Sequence, residues 1–365
     1  MFPAHRHPDQ APPAPAETTL PGADITRPNC ARVYDWLLGG KDSYAVDQQF
    51  ARAALGVFPH LRVGARESRE FLCRAAELLA DVGYRQFVEI GTGFPDAPGF
   101  NLHDIVQSVD PTSRVVYVDH DPLVVLHARA LLKGDWPGRT GYLQADLREP
   151  EKILRSEALR DTLDLTRPVV LSLVGILHHL PDSDDPYGAV ATLLDGLPAG
   201  SALMLSHLSA EHNPAVTDLA AVYQAAGIPL QARTDVQISR FLAGLDVADP
   251  GIVCCHRWQP DPFTGITPPT DAQVSWYAAV GIPPESRYNP SMIDLRSGLF
   301  DPPWTPRPVT DREWELLHAQ SDLRLPVMTP SARDWNPLPV STAKTHPTPG
   351  GPRSHREQIH ALAGS

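Results

Sequence analysis

Four groups of residues along this 365-residue chain have types and spacings that could do chemistry. Glu89-Ile-Gly-Thr-Gly93 sets a carboxylate and two glycines at the end of a short apolar run, Phe87, Val88 and Ile90. Glycines there let the backbone turn sharply and come close to a ligand, and the acid stands beside that turn. Asp119 and Asp146 end two further β-prone runs. Each could accept hydrogen bonds from a nucleotide-like ligand, Asp119 from ribose hydroxyls and Asp146 from an adenine amino group. The plainer alternatives are an acid facing a helix dipole and a loop carboxylate. His178 and His179 follow a fourth apolar run. Imidazole titrates near neutral pH, so one of them could take a proton from an oxygen or nitrogen nucleophile, or the pair could complete hydrogen bonds within a loop. Tyr34, Asp35, Asp42 and Tyr44 lie ahead of the first strand and could line an acceptor pocket or cap and pack their own helices.

These groups need a scaffold that brings strand ends together. Helical spacing is predicted from Asn29, with Val33, Trp36 and Leu37, broken at Gly39-Gly40 and resumed through Leu55. A third helix is predicted over about Ala65–Asp81. Strands are then expected at Gln86–Ile90, Arg114–Asp121, Tyr142–Asp146, Pro168–Gly175 and Ala202–His207, alternating with helices at 101–109, 122–133, 149–163, 189–196 and 215–226. Further strands are expected at Gly251–Trp258 and Val274–Val280. Asp121 is placed as the N-cap of the helix opened by Pro122. Alternation of this kind implies right-handed crossovers and a doubly wound, Rossmann-like α/β sheet behind an N-terminal helical cap, residues 29–83.

Composition bounds the rest. Of 39 prolines, 25 lie in residues 1–28 and 260–365. Residues 1–28 are therefore expected to be a disordered Pro/Ala-rich tail, and 29–283 a single globular domain. Residues 284–365 are expected to be a largely irregular extension with one helix at 310–320, where Thr310 and Glu313 have capping-box spacing. A net charge of −12 disfavours phosphate backbones and anionic membranes, so a small molecule is the expected partner and nucleic acid is not. No apolar stretch approaches the ~20 residues needed to span a bilayer. Four cysteines without a CxxC pair point to reduced thiols in a cytoplasmic protein, and His207, His212 and His256 fall on separate elements, so no metal is expected.

Two nucleotide cofactors compete for the glycine turn. A dinucleotide fingerprint needs a third glycine where Asp96 stands, which disfavours NAD and an oxidoreductase. S-adenosylmethionine carries no phosphate and tolerates acids near its positive groups, which suits Glu89, Asp119 and Asp146. In that order, with Ile176-Leu-His-His-Leu-Pro-Asp182, these blocks resemble the class I S-adenosylmethionine-dependent methyltransferases. Gly39-Gly-Lys-Asp-Ser-Tyr44, the Arg66–Arg74 helix and Asn101-Leu-His-Asp104 resemble more narrowly a bacterial methyltransferase family of largely unassigned substrate. The resemblance spans about residues 27–281. It implies a seven-stranded sheet whose last strand, Gln273–Val280, is antiparallel. It also implies methionyl contacts at Gly91, Thr92 and Gly93, ribose contacts at Asp119 with His120 beside it, and adenine contacts at Asp146 and Leu147. Pro95 stands where the third glycine of such turns is usual. A non-catalytic protein that binds the cofactor or its demethylated product would carry the same blocks.

Overall fold

The computed structural model of the protein describes residues 24–96, 99–134, 137–260 and 267–284. The expected N-terminal tail before Asp24, and the C-terminal extension with its helix at 310–320, lie outside the described residues. Three helices come first, α1 (Cys30–Leu38), α2 (Ala45–Val57) and α3 (Leu61–Asp81). Strands and helices then alternate: β1 (Gln86–Ile90), α4 (Leu102–Val109), β2 (Arg114–Asp119), α5 (Pro122–Leu131) and β3 (Arg139–Gln144). Next come α6 (Pro150–Leu154), α7 (Glu157–Thr162), β4 (Val170–Val174), α8 (Pro186–Gly196) and β5 (Ala202–Leu208). The chain continues through α9 (Ala215–Ala225), α10 (Asp235–Ser239), β6 (Asp246–Val247), β7 (Val253–Cys254), α11 (Asp271–Val274) and β8 (Trp276–Ile282).

The sheet runs in the order β3-β2-β1-β4-β5-β8-β6, with β7 also on β8. The first five strands are parallel and β8 enters antiparallel to β5. Chain order reverses between β1 and β4, so the crevice outside their carboxyl ends is where such a fold binds a ligand. Strand alternation supplies two cores. Phe87, Val115, Tyr117, Val170 and Met204 face the side covered by α1, α3 and α4. Val88, Ile90, Val116, Val118, Leu171 and Leu203 face the side covered by α6, α7 and α8.

The antiparallel last strand is as expected, but the sheet has eight strands rather than seven. Gly251–Trp258 does not form one strand. Arg74 of α3 donates to the carbonyls of Cys255 (2.7 Å) and Trp258 (3.0 Å), which pulls those groups away from a ladder and leaves a single helical turn after Cys254. Phe71 packs edge-on against Trp258, burying what the backbone turn brings inward. The helix expected over 149–163 is likewise two, because the Ser156 side chain caps α7 by accepting from the Leu159 N–H at 3.2 Å. Asp121 does cap α5, accepting from the Leu123 N–H.

The helical cap is fastened by a buried ion pair. Arg32 Nε lies 2.8 Å from Asp47 Oδ2, both side chains being almost wholly buried, and Asp47 also accepts from the Asn29 and Tyr44 N–H groups. Asn29 Nδ2 in turn donates to Asp121 Oδ2, joining the start of α1 to the end of β2. Among the described residues no helix is long and apolar enough to cross a membrane. Removing one partner of such a buried pair leaves an uncompensated charge. Asp47→Ala should therefore lower the unfolding free energy measured in urea by about 3–5 kcal/mol. A loss below about 1 kcal/mol would show that the pair does not hold the cap.

Candidate functional site

Glu89 and Asp119 end neighbouring strands, and the turn between β1 and α4 crosses over them. Gly91 and Gly93 both have positive φ, 75° and 67°, which L side chains rarely adopt. A Cβ on Gly91 would strike Ile176, whereas one on Gly93 would meet nothing within 4 Å. Gly91 thus lets the turn close onto the β4 side, and Gly93 leaves its backbone open to an incoming group. The turn is stitched to β2: Gly91 and Thr92 donate to the Val118 carbonyl, and Gly93 donates to Asp119 Oδ2 at 3.1 Å. Asp119 Oδ1 accepts from the Asp121 N–H and has His120 Nδ1 at 3.5 Å.

A cation that sequence reasoning passed over sits at the centre. Arg69 of α3 places Nε 2.9 Å from Asp96 Oδ2 and Nη1 3.6 Å from Glu89 Oε1, and donates to the Phe100 carbonyl. Burial works against its charge, yet Asp96 and Glu89 more than offset that and raise its pKa. Burial pushes the Glu89 carboxyl up to about 7 despite Arg69, with Asp96 and Asp119 adding to the rise. Asp119 is raised as well, chiefly by burial. Asp35 is pushed up to about 6 by burial, with Asp42 and Asp96 contributing. The one signal for Arg69 in the sequence was its place in the Arg66–Arg74 block, on a helix preceding a buried acid.

The remaining candidates fall into different places. Asp146 is held in a fork by Arg148, Oδ1 to Nε at 3.0 Å and Oδ2 to Nη2 at 2.6 Å, and that bond lowers its pKa. Leu147 beside it is buried. His120 is exposed but near enough to act electrostatically on both Asp146 and His179. Of the cap residues, Tyr34 and Asp42 reach the site. The Tyr34 ring is 6.4 Å from that of Trp276, its hydroxyl donating to the Ala65 carbonyl, and Asp42 Oδ1 is 3.6 Å from His127, which packs on Phe94 of the glycine loop. Asp35 serves its own turn by accepting from the Asp42 N–H, and Tyr44 is exposed, with Arg32 over its ring.

His178 and His179 share one helical turn after β4, their rings 4.4 Å apart, and diverge from there. His179 Nδ1 pairs with the Pro229 carbonyl at 2.8 Å, and burial pushes its pKa down to about 4. His178 is 3% exposed and packs against Trp276 and His207. Burial holds it well below the ordinary imidazole range, with His179 and His207 adding to the depression. Neither His178 Nδ1 nor Trp276 Nε1 has a hydrogen-bond partner among the described residues, although both are buried. Two polar atoms left so are costly unless something else meets them. Trp276 was read only as part of a strand; the antiparallel course of β8 is what delivers it here.

Comparisons with known proteins identify the family. The sequence profile of the S-adenosyl methyltransferase family matches residues 16–284. The crystal structure of a DUF574 family protein from Streptomyces avermitilis is similar at 43% identity and a TM-score of 0.68, covering 72% of this chain and 99% of that one. A candidate methyltransferase from Thermobifida fusca is similar at 36% identity and a TM-score of 0.65, covering 72% and 97%. Curated proteins give no match.

The raised pKa of Glu89 has a consequence for stability. The folded state holds that proton more tightly than the unfolded chain does. The stabilisation is therefore complete below the ordinary value of 4.5 and is lost as pH rises through about 7. In Glu89→Gln this component is absent. In urea unfolding of the ligand-free protein, the variant should gain on the wild type steadily between pH 5 and 7 and level off above; a difference independent of pH would contradict the assignment.

Proposed function

This chain belongs to the S-adenosyl methyltransferase family and depends on S-adenosylmethionine, and we propose that it methylates an oxygen or nitrogen atom of a small molecule held beneath the helical cap. One observation carries the proposal. Glu89, Asp96 and Asp119 set three carboxyl groups against the single guanidinium of Arg69 around a glycine turn that has open space at Gly93. That surplus of carboxyl groups suits a ligand with a positive sulfonium and ammonium, whose charge favours their ionised forms. A dinucleotide pyrophosphate would be repelled by it, so the acids favour the same cofactor as the family match.

When bound, S-adenosylmethionine supplies an electrophilic methyl on positive sulfur. Asp119, oriented by the Gly93 and Asp121 N–H groups, accepts from the ribose hydroxyls, with His120 beside it. Arg148 fixes the Asp146 carboxylate to accept from the adenine amino group, and Leu147 gives an apolar wall. Gly91, Thr92 and Gly93 carry the backbone against the methionyl end. His178 stays neutral because it is buried, which spares the site a second positive charge, and its unpartnered Nδ1 makes a hydrogen bond to the acceptor. His179, its Nδ1 engaged by Pro229, has only Nε2 left to serve as a weak base. Proximity and orientation then supply more of the rate than proton abstraction does. Tyr34 and Asp42 bound the acceptor side, while Asp35 and Tyr44 shape the cap loop. The net charge and four free cysteines favour a small substrate and a cytoplasmic setting.

Calorimetric titration with S-adenosylhomocysteine tests the ribose contact. Asp119→Ala should weaken binding at least tenfold, about 1.4 kcal/mol, and an unchanged affinity would remove Asp119 from the site. Incubation of the enzyme and S-adenosylmethionine with a metabolite extract should yield a mass shift of one methyl group in a small molecule. Methyl transfer confined to protein or nucleic acid would overturn the acceptor class.

A further inference from the structure

On the far face of β8 from Trp276, three potential metal ligands converge from separate parts of the chain. His212 comes from the loop after β5, Cys254 from β7 and Asp271 from the start of α11. Their ligand atoms all lie within 4.8 Å of one another. We propose that His212, Cys254 and Asp271 form a zinc-binding site that pins the antiparallel edge of the sheet. This goes beyond methyl transfer and does not depend on the acceptor.

The donor set is specific. A thiolate, an imidazole and a carboxylate together suit Zn²⁺ better than Mg²⁺ or Ca²⁺, which prefer oxygen alone. Cys254 is buried, and its backbone pairs with Tyr277 of β8; the His212 ring packs 5.2 Å from the Tyr277 ring. Both donors are thus indexed to the same residue. His212 Nε2 is buried and has no hydrogen-bond partner among the described residues. Asp271 Oδ1 lies 2.7 Å from Arg257 Nε and 3.4 Å from His256 Nε2, yet neither contact has hydrogen-bond geometry. A buried imidazole nitrogen without a partner, beside a thiol and a carboxylate, is a donor set that a cation satisfies. The side chain of His256 is itself only 7% exposed, and its Nδ1 also lacks a partner.

Ligand atoms around tetrahedral zinc stand about 3.3–3.8 Å apart, so each donor need move by under ~1 Å. On binding, the Cys254 thiol gives its proton to water. One thiolate and one carboxylate then balance the two charges of Zn²⁺ beside a neutral imidazole. Arg257 and His256 stand behind Asp271 as the partners that orient it. The fourth position opens to a cleft of about 720 Å³ lined by His212, His256, Arg257, Asp271, Pro268 and Pro269, which gives the ion an entry path and a water ligand. The role is structural. Tyr277 adjoins Trp276, so fixing one face of the strand fixes the other.

Chelator-treated full-length protein titrated with Zn²⁺ should take up one equivalent and unfold at a higher temperature. With Co²⁺ it should show a thiolate-to-metal charge-transfer band in the near ultraviolet. Cys254→Ser should abolish that band, and His212→Ala should weaken Zn²⁺ binding at least about a hundredfold. Cys73→Ser, in a buried cysteine of α3, should change neither. If the variants fail to fold, the wild type still decides. No Zn²⁺ uptake, a Co²⁺ spectrum lacking the thiolate band, or binding indifferent to both ligand substitutions overturns the site.

Discussion

Arg69 is the group on which both the fold and the site depend. A guanidinium carried into the interior costs several kcal/mol unless it is paired and hydrogen-bonded, and here it is held by Asp96, Glu89 and the Phe100 carbonyl at once. Those partners belong to the glycine loop and β1, while Arg69 belongs to the cap. The cap cannot shift along the sheet without parting Arg69 from these three partners. Its position over the strand ends is therefore set by charge as much as by apolar contact. The same guanidinium faces more carboxyl groups than it can pair with, Asp119 standing beyond Glu89 and Asp96. The excess lies beside a turn that has open space at Gly93.

A second network runs along the ends of β4 and β5. Ser68 of α3 and Ser206 of β5 share a hydrogen bond of 2.6 Å, and Ser206 also accepts from the Gly175 N–H just beyond β4. Tyr34 adds its hydroxyl to the Ala65 carbonyl. Arg233, buried among Tyr187 and Phe241, donates to the Leu177 and Leu180 carbonyls, to His207 Nε2 and to Asp182. It thereby holds the turn that bears His178 and His179. Beside these pairings, His178 Nδ1 and Trp276 Nε1 are buried without a hydrogen-bond partner among the described residues. Unpaired polar atoms within a hydrogen-bonded frame can be met by a ligand's polar group.

Much of this was legible from local pattern. The β1 run and its glycines, the Asp121 cap before Pro122 and the alternation of strands with helices depend on neighbours in sequence, and the structure places them accordingly. What escaped detection depends on partners far away. Gly251–Trp258 has an apolar strand pattern, but Arg74, far earlier in the chain, claims its carbonyls. Ser156, in the middle of the expected 149–163 helix, caps α7 instead, a role its residue type allows. Arg69 and Trp276 carry no motif of their own. Nor does the spacing of His212, Cys254 and Asp271 reveal that they meet, because each lies on a different element and only the β8 register gathers them.

The antiparallel entry of β8 ties these points together. In a parallel sheet the ligand edge is reached by the last residue of each strand, and the first residue lies at the opposite end. Reversal puts the first residue of β8 at the ligand edge: Trp276 pairs with Leu208, the last residue of β5. The chain arrives there through α11 and Ser275, whose φ of 53° turns it sharply into the strand. Strand alternation then sends Trp276 toward His178 and Tyr34, and Tyr277 toward His212 and Cys254. A one-residue slip of β8 would exchange these faces, removing the indole from the acceptor side and breaking up the cluster behind it. Seven consecutive buried residues leave the strand's own pattern unable to specify its register. The register must then be set by what grips the strand's start, and that is the region where α11, the His212 loop and β7 converge.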